Sequence, residues 1–332
     1  MPKTAISDYD LIILGAGPIG LACGIAAKQA QLRYLILEKG CLVNSVYQYP
    51  TNMTFFSTSD KIELGGIPFV SHGDRPTRRE ALEYFRKVAT YYDLNIQTYQ
   101  PVHGLSPRNG GYLVQTSKGE YATRNVVIAT GFFTQPNLMQ VPGEDLPKVK
   151  HYFDDPHPYC GQRVLVIGGG NSAVDVALET YRKGAQVTLV VRQSAIKEGV
   201  KYWVRPDIEN RIKEGAITAY FNSQVTHIRQ EEVDILTPGG LITLPNDFVL
   251  AMTGYHPNFE WMKQLGIQTY INDEGHTVPQ FNPKTFETNL PNVFLAGTVC
   301  GGTHTNLWFI ENSRYHAEVV MQRIAQQKEQ IQ

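Results

Sequence analysis

Leu11-Ile12-Ile13-Leu14-Gly15-Ala16-Gly17-Pro18-Ile19-Gly20 sets a short apolar run directly against three glycines at G-x-G-x-x-G spacing. The run predicts a buried strand, the stretch from Leu21 to Ala30 a helix, and Tyr34 to Leu37 a second strand closed by Glu38. In such a βαβ unit the glycines permit a tight turn and let backbone N–H groups approach a pyrophosphate at the helix N-terminus. Glu38 stands where a carboxylate can accept hydrogen bonds from ribose hydroxyls and disfavours a 2′-phosphate, which fits FAD or NAD rather than NADP. Gly15, Gly17, Pro18, Ile19, Gly20, Glu38 and Lys39 are the expected binders of the adenosine and pyrophosphate.

The arrangement recurs. An apolar run from Arg163 to Ile167 leads into Gly168-Gly169-Gly170-Asn171-Ser172-Ala173, a helix is expected from Asn171 to Lys183 with Gly184 past its end, and Gln186 to Val191 reads as the next strand. The residue closing that strand is Arg192, whose guanidinium can grip a 2′-phosphate through paired hydrogen bonds. Two fingerprints imply two dinucleotides, and the contrast between Glu38 and Arg192 assigns them. FAD or NAD is expected in the first site and NADPH in the second, the latter held by Gly168, Gly169, Gly170, Asn171, Ser172 and Arg192.

Bulk properties agree with a globular protein. The 332 residues are 42% hydrophobic and 18% charged, enough for two domains with separate cores. A net charge of −1 gives no attraction to nucleic acid or an anionic membrane, so neither is an expected partner. The stretch before Leu11 lacks a signal-peptide pattern, and the apolar segment from Leu11 to Ala27 is punctuated by glycines, which leads to an expectation of cytoplasmic location. The four cysteines, Cys23, Cys41, Cys160 and Cys300, form no C-x-x-C pair that could relay electrons as adjacent thiols.

Between and beyond the fingerprints, the order of elements suggests one domain inserted into another. Residues 44–69 are rich in aromatics, among them Tyr47 and Tyr49, and read either as a surface loop or as a wall beside an isoalloxazine ring. A helix is expected from Arg78 to Tyr92, an antiparallel meander from Asn95 to Val127, and a buried strand from Val126 ending in Ala129-Thr130-Gly131. Two further strands are expected, from Val249 to Gly254 and from Val293 to Gly297-Thr298, with an amphipathic helix from Ala317 to Gln332. The fold class is α/β: two Rossmann-like dinucleotide-binding domains, the NADPH domain (136–252) inserted into an FAD domain (1–135 and 253–332) that carries an antiparallel β-meander.

With these motifs in hand, the chain resembles thioredoxin-reductase-like flavoproteins over nearly its whole length. The strings Tyr49-Pro50-Thr51, Thr54-Phe55-Phe56-Ser57-Thr58-Ser59-Asp60, Ala251-Met252-Thr253-Gly254-Tyr255-His256-Pro257 and Phe309-Ile310-Glu311-Asn312 are similar to the YpdA-type bacillithiol-disulfide reductase family. The resemblance implies FAD, NADPH, reduction of a disulfide and a homo-oligomer. It also implies that Ala129, Thr130, Gly131, Gly297 and Thr298 lie along the ribityl chain and pyrophosphate. The chain departs from the pattern twice. Thr298 stands where the wider group carries an aspartate, and Ile19 stands where the bacillithiol-linked members carry their proposed active cysteine.

Hydride transfer to flavin needs no protein acid or base, so the residues that matter first are binders. Cys300 and His304, near the last flavin motif, are the candidates for a thiol or a proton donor, and a helix after Thr303 is expected to aim its N-terminus at the flavin. His151, His157 and Cys160 lie among prolines and lack a fourth ligand, so no metal is expected. The expected acceptor is a small-molecule disulfide such as bacillithiol disulfide. A ferredoxin- or flavodoxin-NADP reductase, or a flavin monooxygenase suggested by Ala129-Thr130-Gly131-Phe132-Phe133, would use the same cofactor sites.

Overall fold

Strand β1 (Tyr9–Leu14) is the run quoted above, and Leu11, Ile12 and Ile13 are fully buried, as a parallel strand covered on both faces requires. Helix α1 (Pro18–Gln29) starts three residues ahead of the expected Leu21, because proline is pre-organised for the first helical position and has no N–H to leave unpaired there. Gly24 within α1 lets the helix press on the sheet, since a Cβ there would lie 2.6 Å from Ile36 Cδ1. The computed structural model describes residues 8–329. The chain divides into two units, one taking Met1–Tyr47, Met53–Gln135 and Tyr255–Gln332, the other Gln48–Asn52 and Pro136–Gly254.

In the first unit β1 lies between β2 (Tyr34–Leu37) and β6 (Gly119–Ile128), parallel to both. The sheet continues through β3 (Ile96–Gln97) beyond β2, and through β5 (Gly111–Thr116) and β4 (Val102–Arg108) beyond β6. Two segments that the sequence reading separates, the meander and the strand from Val126, form one ten-residue strand, β6. Its first half pairs antiparallel with β5, while Val126, Val127 and Ile128 pair in parallel with Val293–Leu295. The change in burial follows the change in role: the first half has an exposed start, and the last four residues are buried without a break.

The helix Arg78–Tyr91 begins on a capping box, in which Glu80 N donates to Thr77 Oγ1 at 3.3 Å and Thr77 N donates to Glu80 Oε2 at 2.8 Å. Its apolar face buries Ala81, Tyr84, Phe85 and Val88. At the C-terminal end the expected helix after Thr303 does not form there. Thr277 N donates to Thr303 Oγ1 and Thr303 N to Thr277 O, both at 2.9 Å, so Thr303 is committed to a neighbouring strand. The next helices are the four-residue Ile310–Ser313 and the longer His316–Glu329, while the expected continuation to Gln332 lies outside the described residues.

The second unit is built on five parallel strands, in the order Thr218–Tyr220, Gln186–Val190, Arg163–Ile167, Phe248–Ala251 and Val149–Lys150. The helix Asn171–Arg182 buries Ala173, Val174, Val176 and Ala177 as part of the apolar cluster formed with the central strands. A three-stranded antiparallel sheet, Gln224–Ile228, Glu232–Thr237 and Gly240–Pro245, joins this unit without having been anticipated. No helix among the described residues is long and apolar enough to cross a membrane.

Candidate cofactor and active site

Backbone contacts bring the residues of the first fingerprint and the two later flavin motifs together. A Cβ at Gly15 would lie 2.7 Å from the Ala129 carbonyl oxygen, and one at Gly20 would collide with the Gly15 carbonyl, so the turn closes only around glycine. Gly131, at φ +67°, lies beside Thr298: a Cβ there would be 3.4 Å from Thr298 Oγ1. Gly297, at φ +87°, lies against Ile19, whose Cγ1, Cβ and Cγ2 would stand 3.0–3.1 Å from an added Cβ. Fingerprint, Ala129-Thr130-Gly131 and Gly297-Thr298 therefore converge within one unit.

Glu38 is 6% exposed at the end of β2. Its Oε2 accepts Ala16 N at 2.8 Å and its Oε1 accepts Gly40 N at 2.9 Å, so the carboxylate braces the fingerprint turn and keeps further lone pairs for hydroxyl donors. Gly17 caps α1 with no side-chain hydrogen bond, leaving the first helical N–H groups for an external anion, and among the described residues nothing beyond its own chain neighbours lies within 4 Å of where its Cβ would be. These features fit a dinucleotide whose ribose carries free hydroxyls. Lys39 is exposed, and so is Tyr47, whose ring lies 5.2 Å from the Arg78 guanidinium carbon and whose carbonyl accepts Arg78 Nε at 3.1 Å. Tyr49, expected alongside Tyr47, belongs to the second unit.

In the second unit the glycines are equally constrained. A Cβ at Gly168, φ +133°, would lie 2.5 Å from the Met252 carbonyl oxygen, and one at Gly169 would lie 2.8 Å from Val191 Cγ1. The helix Asn171–Arg182 again has a glycine N-cap, Gly170, with no side-chain bond, while Ser172 and Arg192 are exposed. The loop after Arg192 folds back over the turn. Lys197 N donates to Gly169 O at 2.9 Å, Asn171 Nδ2 to Gly199 O at 3.1 Å, and Lys201 N to Asn171 Oδ1 at 2.8 Å. Lys201 Nζ is also paired with Asp175 at 2.7 Å. Sequence reasoning missed this loop because it carries neither periodicity nor a motif.

Two of the four thiols, Cys23 and Cys300, are poorly placed for nucleophilic chemistry. Cys23 and Cys300 are buried in the same core cluster, and burial pushes the Cys23 thiol up to about 12. Cys300 is pushed upward mainly by burial, with the nearby Cys23 adding to the shift, so both are protonated thiols at neutral pH. Cys41 is also raised by burial, although only partly covered, and Cys160 is exposed.

His304 pairs through Nδ1 with Glu274 Oε2 at 3.3 Å and stacks on His276 with centroids 4.5 Å apart and planes 23° apart. Glu274, His276 and His304 are a metal-type donor set that the spacing of the sequence concealed. A metal lies in the plane of each imidazole that binds it, and two stacked rings share no such nearby point. The trio therefore forms a histidine–carboxylate contact and a ring stack in this arrangement. A second missed residue is His316, which is completely buried behind Gly297.

The profile of the pyridine nucleotide-disulphide oxidoreductase family matches residues 12–297. Bacilliredoxin reductase Bdr of Bacillus subtilis is 41% identical over 96% of this chain and 98% of its own. The solved bacillithiol disulfide reductase Bdr (YpdA) of Staphylococcus aureus superposes with a TM-score of 0.94 at 39% identity, covering 97% of this chain and all (100%) of that one. A ferredoxin–NADP reductase of Ignicoccus hospitalis is 26% identical over 87% of this chain and 90% of its own. The chain belongs to the pyridine nucleotide-disulphide oxidoreductase family, as an oxidoreductase of thioredoxin-reductase-like fold that uses a flavin and a nicotinamide nucleotide.

Proposed function

We propose that the protein binds FAD at the first fingerprint, takes reducing equivalents from NADPH at the second, and delivers them to a disulfide of the bacillithiol class. The observation that carries the cofactor choice is the buried Glu38 carboxylate at the end of one βαβ strand against the exposed Arg192 guanidinium after the other. The acceptor rests on the kinship with reductases of bacillithiol disulfide and bacilliredoxin. When bound, the flavin supplies a two-electron relay between reduced nicotinamide and disulfide. Overall NADPH, one proton and the disulfide give NADP⁺ and two thiols.

In this reading the backbone of the Gly15–Gly20 turn and α1 holds the pyrophosphate, and Glu38 orients the ribose. Thr298 serves with its hydroxyl or backbone where the wider group has a carboxylate. Since Ile19 replaces the proposed thiol and Cys23 and Cys300 are buried and protonated, the substrate disulfide is reduced without a protein dithiol. The protein works in the cytoplasm as a homo-oligomer, a state that light scattering on the eluted peak measures.

Anaerobic titration of the purified yellow protein with NADPH and NADH, followed by bacillithiol disulfide, oxidised bacilliredoxin, ferredoxin, flavodoxin and oxygen, tests the whole reading. Two thiols released per NADPH, retained when all four cysteines are replaced, is the expected result. Exclusive reduction of ferredoxin or flavodoxin would favour the second reading, a ferredoxin–NADP reductase, which the Ignicoccus relative supports. Oxygen consumption with an oxygenated product would point to a monooxygenase.

A further inference from the structure

Gly297 carries one of the most constrained backbone positions in the flavin motif, and its N–H is sealed in the protein interior. That N–H donates to His316 Nδ1 at 3.1 Å. His316 is 0% exposed and opens the helix His316–Glu329. Its ring stacks on Phe286 at 4.0 Å and meets Trp308 and Tyr315 edge-on, each at 4.6 Å. The Cys300 sulfur lies 3.9 Å from the same Nδ1. Since Nδ1 accepts, the neutral ring must carry its proton on Nε2, and Nε2 is buried with no hydrogen-bond partner among the described residues. A purely structural filler for this apolar cage would be an apolar side chain. A buried imidazole with one nitrogen unsatisfied is costly, and the group that accounts for it is the Gly297 N–H, which would otherwise lack an acceptor.

We infer that His316 is a positioning residue for the flavin: its Nδ1 lone pair fixes the Gly297 peptide, and through it the Gly297–Cys300 turn that follows the last strand of the sheet. Burial among the aromatic rings pushes its pKa down to about 4, which keeps Nδ1 unprotonated and able to accept throughout the neutral range. Protonated, the ring would present two donors to a peptide N–H, and the arrangement could not persist. The inference rests on the first fingerprint holding FAD.

The test separates the two nitrogens. Asparagine can present its carbonyl oxygen near the position of Nδ1, whereas glutamine reaches the position of Nε2 and leucine presents neither. Flavin-stripped His316→Asn, His316→Gln and His316→Leu proteins are compared with the stripped wild type for thermal midpoint, FAD dissociation constant and the visible spectrum of the refilled flavin. His316→Asn is expected to bind FAD within about threefold of wild type with an unchanged spectrum. His316→Gln and His316→Leu should bind at least tenfold more weakly with a shifted spectrum, even at matched thermal stability. Equal FAD affinity and spectra in all three variants would overturn the inference and leave His316 a packing residue. A wild type that binds no FAD would instead overturn the cofactor assignment.

Discussion

Ile19 packs against Gly297, so the position that bacillithiol-linked relatives are proposed to use for a thiol is filled here by an aliphatic side chain pressed on the last flavin motif. A Cβ on Gly297 would lie 3.0–3.1 Å from three Ile19 carbons, and the backbone there sits at φ +87°. Gly297→Ala is expected to destabilise the protein by roughly 2 kcal/mol and to lower its flavin content. Adding Ile19→Ala removes Cγ1 and Cγ2, and so should relieve two of the three close contacts, leaving the one to Cβ and the backbone strain. Denaturant melts and the flavin-to-protein absorbance ratio of the single and double variants measure both parts, and strict additivity would show that the two residues are not coupled.

Glu38 spends both carboxylate oxygens on backbone N–H groups, Ala16 in the fingerprint turn and Gly40 in the loop after its own strand. Glutamine in its place keeps one acceptor and sets an NH₂ against the other N–H. Glu38→Gln should cost about 1–3 kcal/mol in stability and weaken FAD binding. Chemical denaturation and flavin titration read these effects separately, and an unchanged melt would deny the carboxylate its bracing role.

Arg192 stands exposed after the strand Gln186–Val190, with the Lys197 loop folded over the neighbouring glycines. Removal of one charge-assisted contact, about 1.5–3 kcal/mol, predicts that Arg192→Ala raises the KM for NADPH tenfold or more while leaving that for NADH nearly unchanged. Steady-state kinetics with the two nucleotides decides the point. Equal losses with both would remove Arg192 from 2′-phosphate recognition.

Asp247, just ahead of the strand Phe248–Ala251, ties it to the start of the parallel strand Arg163–Ile167, accepting Arg163 N at 2.8 Å and Arg163 Nε at 2.9 Å. Hydrogen bonding from Arg163 holds its carboxyl down from 3.8 to about 2. A depressed carboxylate contributes stability that is fully present above its unfolded value and lost as pH falls through its folded value, so the window runs from 3.8 down to about 2. Asp247→Asn should lower stability by about 1 kcal/mol at neutral pH, a modest figure because the pair is solvent-accessible, and should flatten the acid limb of the stability curve. Thermal midpoints between neutral pH and pH 2 check it.

Both βαβ units were legible because their signals are local. Apolar runs flanked by glycines specify strand, tight turn and helix within a few residues, so β2 and the strand Arg163–Ile167 fall where the sequence puts them. β6 was harder, because its two halves serve different partners and carry different burial patterns. The residues 224–245 gave no warning of a separate antiparallel sheet, since short strands take their meaning from the partners across from them.

The sequence by itself determined the two dinucleotide turns and the contrast between Glu38 and Arg192, because glycine conformational freedom and side-chain charge are properties of the residues themselves. Only the tertiary structure decided that Ile19 presses on Gly297, that Cys23 and Cys300 share one buried apolar core, and that His316 accepts the Gly297 N–H. These relationships join positions remote along the chain. Their chemistry comes from burial and from the direction of lone pairs, and neither exists until the sheet and its last helix have packed.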